Sequence, residues 1–349
     1  MILARALADP SSVLRLGHAD WTALLCIAHA ERLLPTLAHR VDGLAIPESA
    51  KAILNNARLN AEAGRIRALW EIEMMRRALT PLEVPVVLLK GSAFLAAGLA
   101  AGQGRLVGDL DILVPRERLG EVEAVILEAG WEWLKVDAYD DHYYRTWMHE
   151  LPPLIHRDRD AMIDIHHTIL PLTARPKPDA AAMIADSVEI ALGLRMLCPK
   201  DMVIHAAAHL FADGDLSGGM RNLWDIRCLV EASPLDGLEA QARMHGLLSE
   251  TERALRLSGV LFGYPRHSSE GRNLMPTVEI RRWIPAFAGM TNNWDRLYLA
   301  RLTARDGWGR ETHKLLRFAF YIRSHLIRMP FPLLVRHLFT KWRKARASG

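Results

Sequence analysis

The sequence predicts an α+β protein in which a mixed sheet with flanking helices is joined to an N-terminal helical arm and a C-terminal helical domain. Three observations lead to this prediction. Residues 50–79 have the composition of one long helix, short apolar and β-branched segments follow it, and helical patterns return after residues 171–179, which contain three prolines. These changes divide the chain into an N-terminal helical region at 1–80, a central core at 81–172 and a C-terminal helical region at 173–349.

The N-terminal region contains two predicted helices. The first covers residues 21–34 and ends before Pro35, because a residue that precedes proline is disfavoured in the helical conformation. The second covers residues 50–79, which are rich in Ala, Leu, Arg and Glu and have no internal proline. Ser49 is the predicted N-cap of this second helix.

The central core alternates between predicted strands and helices. Residues 84–89 are continuously apolar, as in a strand that is buried on both faces. A helix capped by Ser92 and a glycine-rich turn follow, and Gly130 closes a later helix. The predicted strands are 84–89, 110–114, 131–136, 143–149, 154–156 and 162–167, and the predicted helices are 93–101 and 117–129.

The C-terminal region is predicted to be helical, with one interruption. Pro199 opens a helix through Leu210, and residues 222–231 and 238–261 continue the helical pattern. Residues 264–293 are polar and loop-like, and part of this segment resembles a peptide encoded by a mobile palindromic repeat of bacterial genomes. We expect a tolerated surface insertion here, with an ordinary functional loop as the alternative.

Composition indicates a folded protein in a reducing compartment. The chain of 349 residues is 50% hydrophobic and 24% charged, as in an ordinary globular protein. Its three cysteines, Cys26, Cys198 and Cys228, lack the spacing of a disulfide framework or a zinc site. We also expect no transmembrane segment, because no apolar run approaches the length of a membrane span, and no export signal, because the N-terminus lacks a basic region followed by a long apolar core. The cytoplasm is therefore the predicted location.

Basic residues are concentrated near the C-terminus. From Glu311 onward there are nine Lys or Arg residues and one acid, although the net charge of the whole chain is only +4. The simplest interpretation is a pair of helices with solvated basic side chains, whose aromatic residues pack on a neighbouring domain. Weak contact with a membrane surface or with nucleic acid is the alternative.

Two short motifs in the core point to phosphate and metal chemistry. Asp109 and Asp111 are one residue apart on a predicted strand, so both carboxylates lie on one face and could bind a divalent metal ion. Gly91 and Ser92 lie where a strand passes into a helix, and the backbone N–H groups there could hold a phosphate. Sixteen residues separate the two motifs. Together they predict a site for a nucleoside triphosphate and Mg²⁺.

A third carboxylate completes the predicted metal site. Asp164 and His166 share one face of a predicted strand, while Ile163 and Ile165 share the other. An unpaired buried carboxylate is costly, so this alternation favours a polar cavity over an apolar core. The cations Lys90 and Arg105 are candidates for neutralising triphosphate charge, with solvent-exposed flanking charge as the alternative for each.

Other histidines give weaker signals. His205 and His209 have helical i, i+4 spacing, but only alanines lie between them, so packing or hydrogen bonding is favoured over metal binding. His142, His149 and His156 lie among the predicted strands and are candidates for lining an acceptor pocket.

The three motifs in this order resemble the nucleotidyltransferase superfamily that shares its fold with DNA polymerase beta. Within it, the chain most resembles a poorly characterised bacterial family of nucleotidyltransferases. The matching segments are residues 86–91, Arg105 with residues 108–114, and residues 163–166, with weaker matches at Trp21, residues 224–226 and residues 323–332. The gap between Gly-Ser and Asp-x-Asp is longer than in many members, which lengthens the intervening helix and loop.

The resemblance implies a role for each motif residue. Gly91 and Ser92 would bind phosphate, Asp109 and Asp111 would bind Mg²⁺, and Asp164 would be the third metal ligand and the base. The polymerase-beta-like sheet would form the catalytic core.

The leading functional hypothesis is Mg²⁺-dependent transfer of a nucleoside monophosphate from a triphosphate such as ATP to a hydroxyl of an unknown acceptor. A small molecule is the favoured acceptor, because the modest charge and the lack of a basic RNA-binding module make nucleic acid less favoured. Two alternatives remain: a non-catalytic nucleotide-binding or scaffold protein, and a toxin-like transferase that modifies tRNA or protein.

Overall fold

A mixed sheet lies at the centre of the fold. The computed structural model describes residues 1–134, 137–191, 193–263 and 293–347. Its strands are β1 (Val86–Leu88), β2 (Asp109–Leu113), β3 (Trp131–Trp133), β4 (Leu154–His156), β5 (Met162–His166), β6 (Val188–Ala191) and β7 (Leu194–Met196). They form one seven-stranded sheet in the order β3-β4-β5-β2-β1-β7-β6.

Helices surround this sheet and form most of the two chain ends. In the N-terminal and central parts they are α1 (Ile2–Ala8), α2 (His18–Ala30), α3 (Leu34–Arg40), α4 (Glu48–Leu79), α5 (Lys90–Ala96), α6 (Leu119–Glu128) and α7 (Ala138–Trp147). Farther along the chain they are α8 (Ala180–Ala185), α9 (Pro199–Ala208), α10 (Gly219–Ala232), α11 (Leu238–Met244), α12 (Leu248–Phe262), α13 (Asn293–Leu302), α14 (Lys314–Arg328) and α15 (Phe331–Ala347). The predicted α+β class with flanking helices is confirmed.

Two strands in the C-terminal region were not predicted. β6 and β7 are short, and β6 is mostly exposed, so neither shows the apolar alternation that marks a strand in sequence. β7 nevertheless pairs in parallel with β1 and lies between β1 and the edge strand β6. The C-terminal region thus contributes to the sheet, while the domain boundaries at 80 and 172 stay predictions.

The predicted strand at 143–149 is wrong. Residues 138–147 form α7, and the side chain of Asp137 caps this helix by accepting hydrogen bonds from the backbone N–H groups of Tyr139 and Asp140. A carboxylate at this position satisfies N–H groups that have no partner within the helix. This local cap outweighs the β propensity of the tyrosines that follow.

Three details at helix starts also differ from the predictions. The first predicted helix ends at Ala30 rather than at Leu34, and Pro35 lies in the first turn of α3, where its missing N–H is not needed. Pro47, not Ser49, occupies the N-cap position of α4. Ser92 lies inside α5, which begins at Lys90, and makes no capping hydrogen bond.

The pairing of β2 with β5 fixes the geometry of the site. These strands are parallel, with Asp111 opposite Asp164 and Leu113 opposite His166. The apolar residues of the central strands are fully buried, including Val87, Ile112 and Ile165. Truncating such a side chain to alanine typically costs about 2–5 kcal/mol. The buried face therefore holds the register that places the polar residues on the opposite face.

The last two helices expose an apolar face. Most of the described aromatic side chains of α14 and α15 are about half exposed or more, contrary to the predicted packing on a neighbouring domain, whereas Phe320 is buried. Leu315 is 87% exposed and Phe318 is 62% exposed. None of the helices in the described ranges is long and apolar enough to cross a membrane. The predicted insertion at 264–293 lies outside the described residues except for Asn293.

Candidate active site

Three aspartates meet on one face of the sheet. β2 presents Asp109 and Asp111, and the parallel pairing places Asp164 of β5 beside them. One carboxylate oxygen from each residue can be chosen so that all three lie within 4.8 Å of one another. This is an all-oxygen donor set, which Mg²⁺ prefers. The structure brings together the three metal ligands predicted from the sequence.

Asp111 lies at the centre of a buried polar network. Its Oδ1 accepts a hydrogen bond from Nζ of Lys90 at 2.7 Å and lies 3.0 Å from Nε2 of His166. Burial alone would raise the pKa of the Asp111 carboxyl, but the Lys90 ammonium and the His166 ring outweigh it and hold that pKa well below its ordinary value. Burial would likewise lower the pKa of Lys90, whereas the Asp111 carboxylate raises it. Both groups are therefore charged.

Asp164 behaves differently from Asp111. Burial, followed by repulsion from Glu150 and Asp111, raises the pKa of the Asp164 carboxyl to about 7. A divalent cation among the three carboxylates would relieve this repulsion. The donor set and the crowding of negative charge thus fit a divalent metal ion.

Gly91 is required by close packing. A Cβ atom at this position would lie 2.6 Å from Nε of Arg105 and 2.8 Å from Cγ2 of Val107. Lys90 just before it has a left-handed φ of 47°, which is unusual for a residue with a side chain. The turn therefore brings the Arg105 guanidinium against the backbone of Gly91.

Ser92 is placed behind the site rather than in it. Its side chain is fully buried, and within the described part of the chain its hydroxyl has no hydrogen-bond partner. It is also absent from the lining of the adjoining cleft, whereas Gly91 is part of it. Of the predicted phosphate-binding pair, Gly91 therefore lies at the surface of the cleft and Ser92 lies in the layer beneath it.

A cleft of about 550 Å³ opens from the aspartates. This volume lies within the range of ordinary ligand pockets. Asp109 and Asp111 lie in its lining, and the basic side chains of the lining are Arg32, Lys90, Arg105, Arg221 and Arg305. A cleft with carboxylates on one side and several cations around them suits a metal-bound polyphosphate.

Buried ion pairs hold two of these arginines. Asp225 accepts a hydrogen bond from Nη1 of Arg105, and its Oδ1 lies 3.0 Å from Nη2 of Arg221, in ion-pair range but without hydrogen-bond alignment. Nη2 of Arg221 also donates to the carbonyl oxygen of Ala101 at 2.6 Å, and its Nη1 donates to Oγ1 of Thr36. Asp225 thus holds two arginine side chains of the cleft lining, Arg105 and Arg221, in place.

Asp225 and several residues near Asp164 were missed as site residues. The sequence match at residues 224–226 signalled Asp225, but no role followed from it. Glu150 gave no signal: it directly follows residues 143–149, which were wrongly predicted to be a strand. Tyr144 lies near both carboxylates: burial first, then the charges of Glu150 and Asp164, raise its pKa to about 12. Glu150 and Tyr144 therefore extend the site on the side of β5.

The remaining histidines take different places. His209 lines the cleft, and burial, followed by the charge of Lys90, lowers its pKa to about 3, so it is neutral. His205 is buried nearby. His156 packs edge-on against Trp131 beneath Gly130, away from the site, and His142 is exposed on α7. Of the acceptor-pocket candidates, only His149 lies close to His166.

Comparison with known proteins identifies the family. The family described as "Uncharacterised nucleotidyltransferase" matches residues 17–263. The chain belongs to this family. Membership confirms the resemblance seen in the sequence and supports nucleotidyl transfer as a general activity.

The other comparisons add little. No curated protein matches the chain. The crystal structure of JHP933 from Helicobacter pylori is 15% identical in sequence, with a TM-score of 0.30, and the match covers 68% of this nucleotidyltransferase and 93% of that chain. This likeness is too weak to support a statement about function.

Proposed function

We propose that this nucleotidyltransferase transfers a nucleoside monophosphate from a nucleoside triphosphate such as ATP to a hydroxyl of a small-molecule acceptor, with Mg²⁺ as its metal. One observation supports this most: the cluster of Asp109, Asp111 and Asp164 within 4.8 Å, next to a cleft that is lined by cations. Family membership supports the class of reaction.

The triphosphate binds along the basic side of the cleft. Arg105 lines the cleft, and its one side-chain hydrogen bond among the described residues runs from Nη1 to Asp225. Arg32 is exposed and forms no ion pair with any residue that the structure describes. These two guanidinium groups are the first candidates to contact phosphate oxygens, because their donors are not fully used. Because Gly91 has no side chain, a phosphate group can approach the backbone there closely.

Asp109, Asp111 and Asp164 hold the divalent cation. When bound, the cation supplies charge neutralisation at the phosphates and acidifies the acceptor hydroxyl. Lys90 and His166 keep Asp111 ionised and oriented. The acceptor oxygen forms a bond to the α-phosphorus, the bond from that phosphorus to the bridging oxygen breaks, and pyrophosphate leaves. Asp164 accepts the proton of the hydroxyl as the general base.

A small acceptor in the cytoplasm fits the rest of the chain. The cleft volume of about 550 Å³ suits a nucleotide with a small second substrate. The net charge of +4 is modest for a protein that binds a polynucleotide. The three free cysteines agree with a reducing compartment.

The test is to incubate the protein with radiolabelled nucleoside triphosphates, Mg²⁺ and a small-molecule extract, and to measure pyrophosphate release and labelled products. We expect Asp109→Asn and Asp111→Asn to lower turnover by on the order of 100-fold or more. Asp42→Asn is the matched control, because Asp42 is an exposed carboxylate outside the site. Its turnover should be unchanged.

Two outcomes would contradict the proposal. Calorimetry that detects no Mg²⁺-dependent nucleotide binding by the unmodified protein would exclude the triphosphate site itself. Nucleotide binding without pyrophosphate release, over a broad range of acceptor extracts, would instead support the non-catalytic alternative.

A further inference from the structure

We propose that His149, Glu150 and His166 form a second metal site, distinct from the three aspartates, for a transition-metal ion of the Zn²⁺ type. The three residues lie at the β5 side of the site. One ligand atom from each can be chosen so that all lie within 4.8 Å of one another. Ion binding at this site can be measured without any enzymatic activity, so it is independent of the proposed nucleotidyl transfer.

The spacing of the ligand atoms matches a metal coordination sphere. Oε2 of Glu150 lies 3.3 Å from Nδ1 of His166 and 3.6 Å from Nε2 of His149. Two ligands at about 2.0–2.2 Å from one tetrahedral ion are about 3.3–3.6 Å apart. A direct N–H···O hydrogen bond would be shorter, at about 2.7–3.2 Å. The cluster therefore has the dimensions of a site for an ion between the ligands.

The hydrogen bond between His166 and Asp111 defines which ring nitrogen is available. Nε2 of His166 lies 3.0 Å from Oδ1 of Asp111, which leaves Nδ1 as the ring nitrogen that faces Glu150. Nδ1 of His166 is buried and, among the described residues, has no hydrogen-bond partner, although the Glu150 carboxylate is near. A metal ion between the two groups would bind to both.

The chemistry of the donors distinguishes this site from the aspartate cluster. Two imidazoles and one carboxylate favour Zn²⁺ and related ions, whereas oxygen-only sets favour Mg²⁺. The hydrogen bond from His166 to Asp111 is the outer contact that commonly orients a metal-bound histidine. Three protein ligands leave a fourth position open.

The backbone holds the ligands in place before any ion binds. Glu150 forms an isolated antiparallel bridge with His166, and the carbonyl oxygen of His149 accepts a hydrogen bond from the N–H of His167 at 2.9 Å. The His149 and His166 rings stack with centroids 5.2 Å apart. Little rearrangement is needed, which lowers the cost of binding.

The test uses the full-length protein after removal of metal with a chelator, titrated with Co²⁺ as a spectroscopic substitute for Zn²⁺. We expect one Co²⁺ ion per chain to give the strong visible absorption of four-coordinate Co²⁺, which Zn²⁺ displaces. His149→Ala and Glu150→Gln should each weaken binding by at least about 100-fold, because loss of a direct ligand exceeds the typical 10–100-fold effect of an outer contact.

Two control variants make the assignment specific. His142→Ala removes an exposed histidine of α7 and should leave the Co²⁺ spectrum unchanged. Asp109→Asn alters only the aspartate cluster and should also keep the spectrum. If His149→Ala does not fold, as judged by circular dichroism, the nearly isosteric Glu150→Gln decides. The proposal is overturned if no such absorption arises, if both ligand variants bind normally, or if Asp109→Asn loses the ion equally.

Discussion

Asp225→Asn should destabilise the protein strongly, because Asp225 is the shared counter-ion of two arginines in the cleft. Its side chain is only 3% exposed, and those of Arg105 and Arg221 are 17% and 7% exposed. Removing one partner of a buried ion pair typically costs about 3–5 kcal/mol, since the other charge stays buried without compensation. Asparagine keeps the volume and can still accept one hydrogen bond. We therefore expect a loss of about 3 kcal/mol.

Urea denaturation at neutral pH measures this loss directly. The midpoint should fall while the slope of the free energy of unfolding against urea stays the same, because the exposed surface does not change. Asp42→Asn is the matched control: it removes the same charge from an exposed pair with Arg58, whose atoms are 3.2 Å apart. Such surface pairs contribute about 0–1 kcal/mol.

The reasoning would be refuted if Asp225→Asn lowered the free energy of unfolding by less than about 1 kcal/mol, as the control does. That result would mean that water or another acceptor replaces the carboxylate. A triphosphate gives a second check. If Arg105 contacts phosphate, saturating triphosphate should recover part of the stability lost in the variant by binding only to the folded state.

Three further predictions concern other parts of the molecule. Gly91→Ala should lower triphosphate affinity at least about tenfold in calorimetry, because the added Cβ would lie 2.6 Å from Nε of Arg105 and displace that guanidinium. Gly120→Ala is the control: the space around Gly120 is open, so this variant should bind triphosphate normally. The pKa of Asp164 is raised from 3.8 to about 7, so without divalent cations the free energy of unfolding should fall by about 2 kcal/mol as the pH rises from 4 to 7. Thermal denaturation should show this loss of stability at the higher pH. Mg²⁺ should reverse the loss, and Asp164→Asn should not show it. The exposed apolar face of α14, flanked by basic residues, should bind anionic but not zwitterionic vesicles in cosedimentation. The double variant Leu315→Ser, Phe318→Ser should abolish that binding. Equal binding to both vesicle types would contradict this prediction.

The central strands and their carboxylates could be predicted because the information is local. Asp109 and Asp111 follow the period of two within one strand, and Asp164 follows it within another. Bringing them together required only that β2 and β5 be neighbours in the right register. The long helix α4 was equally readable from composition.

The missed features depend on contacts that are distant in sequence. Asp225 is 120 residues from Arg105, so nothing near it in the chain marks it as a counter-ion. Ser92 has the sequence context of a helix cap, but packing buries it inside α5. β7 is recognisable only from its partner β1, because three residues carry too little periodicity of their own.

The ion pair between Glu31 and Arg305 has a consequence for how the protein forms during synthesis. Nε of Arg305, in the cleft lining, donates to Oε1 of Glu31 at 2.7 Å, and the two residues are 274 positions apart. At roughly 5–20 residues per second, a ribosome needs about 14–55 s to synthesise the chain between them. The sheet and its aspartates are synthesised within that interval, before Arg305 can complete the cleft lining. The nascent chain can therefore order its carboxylates well before it can close a complete triphosphate cleft.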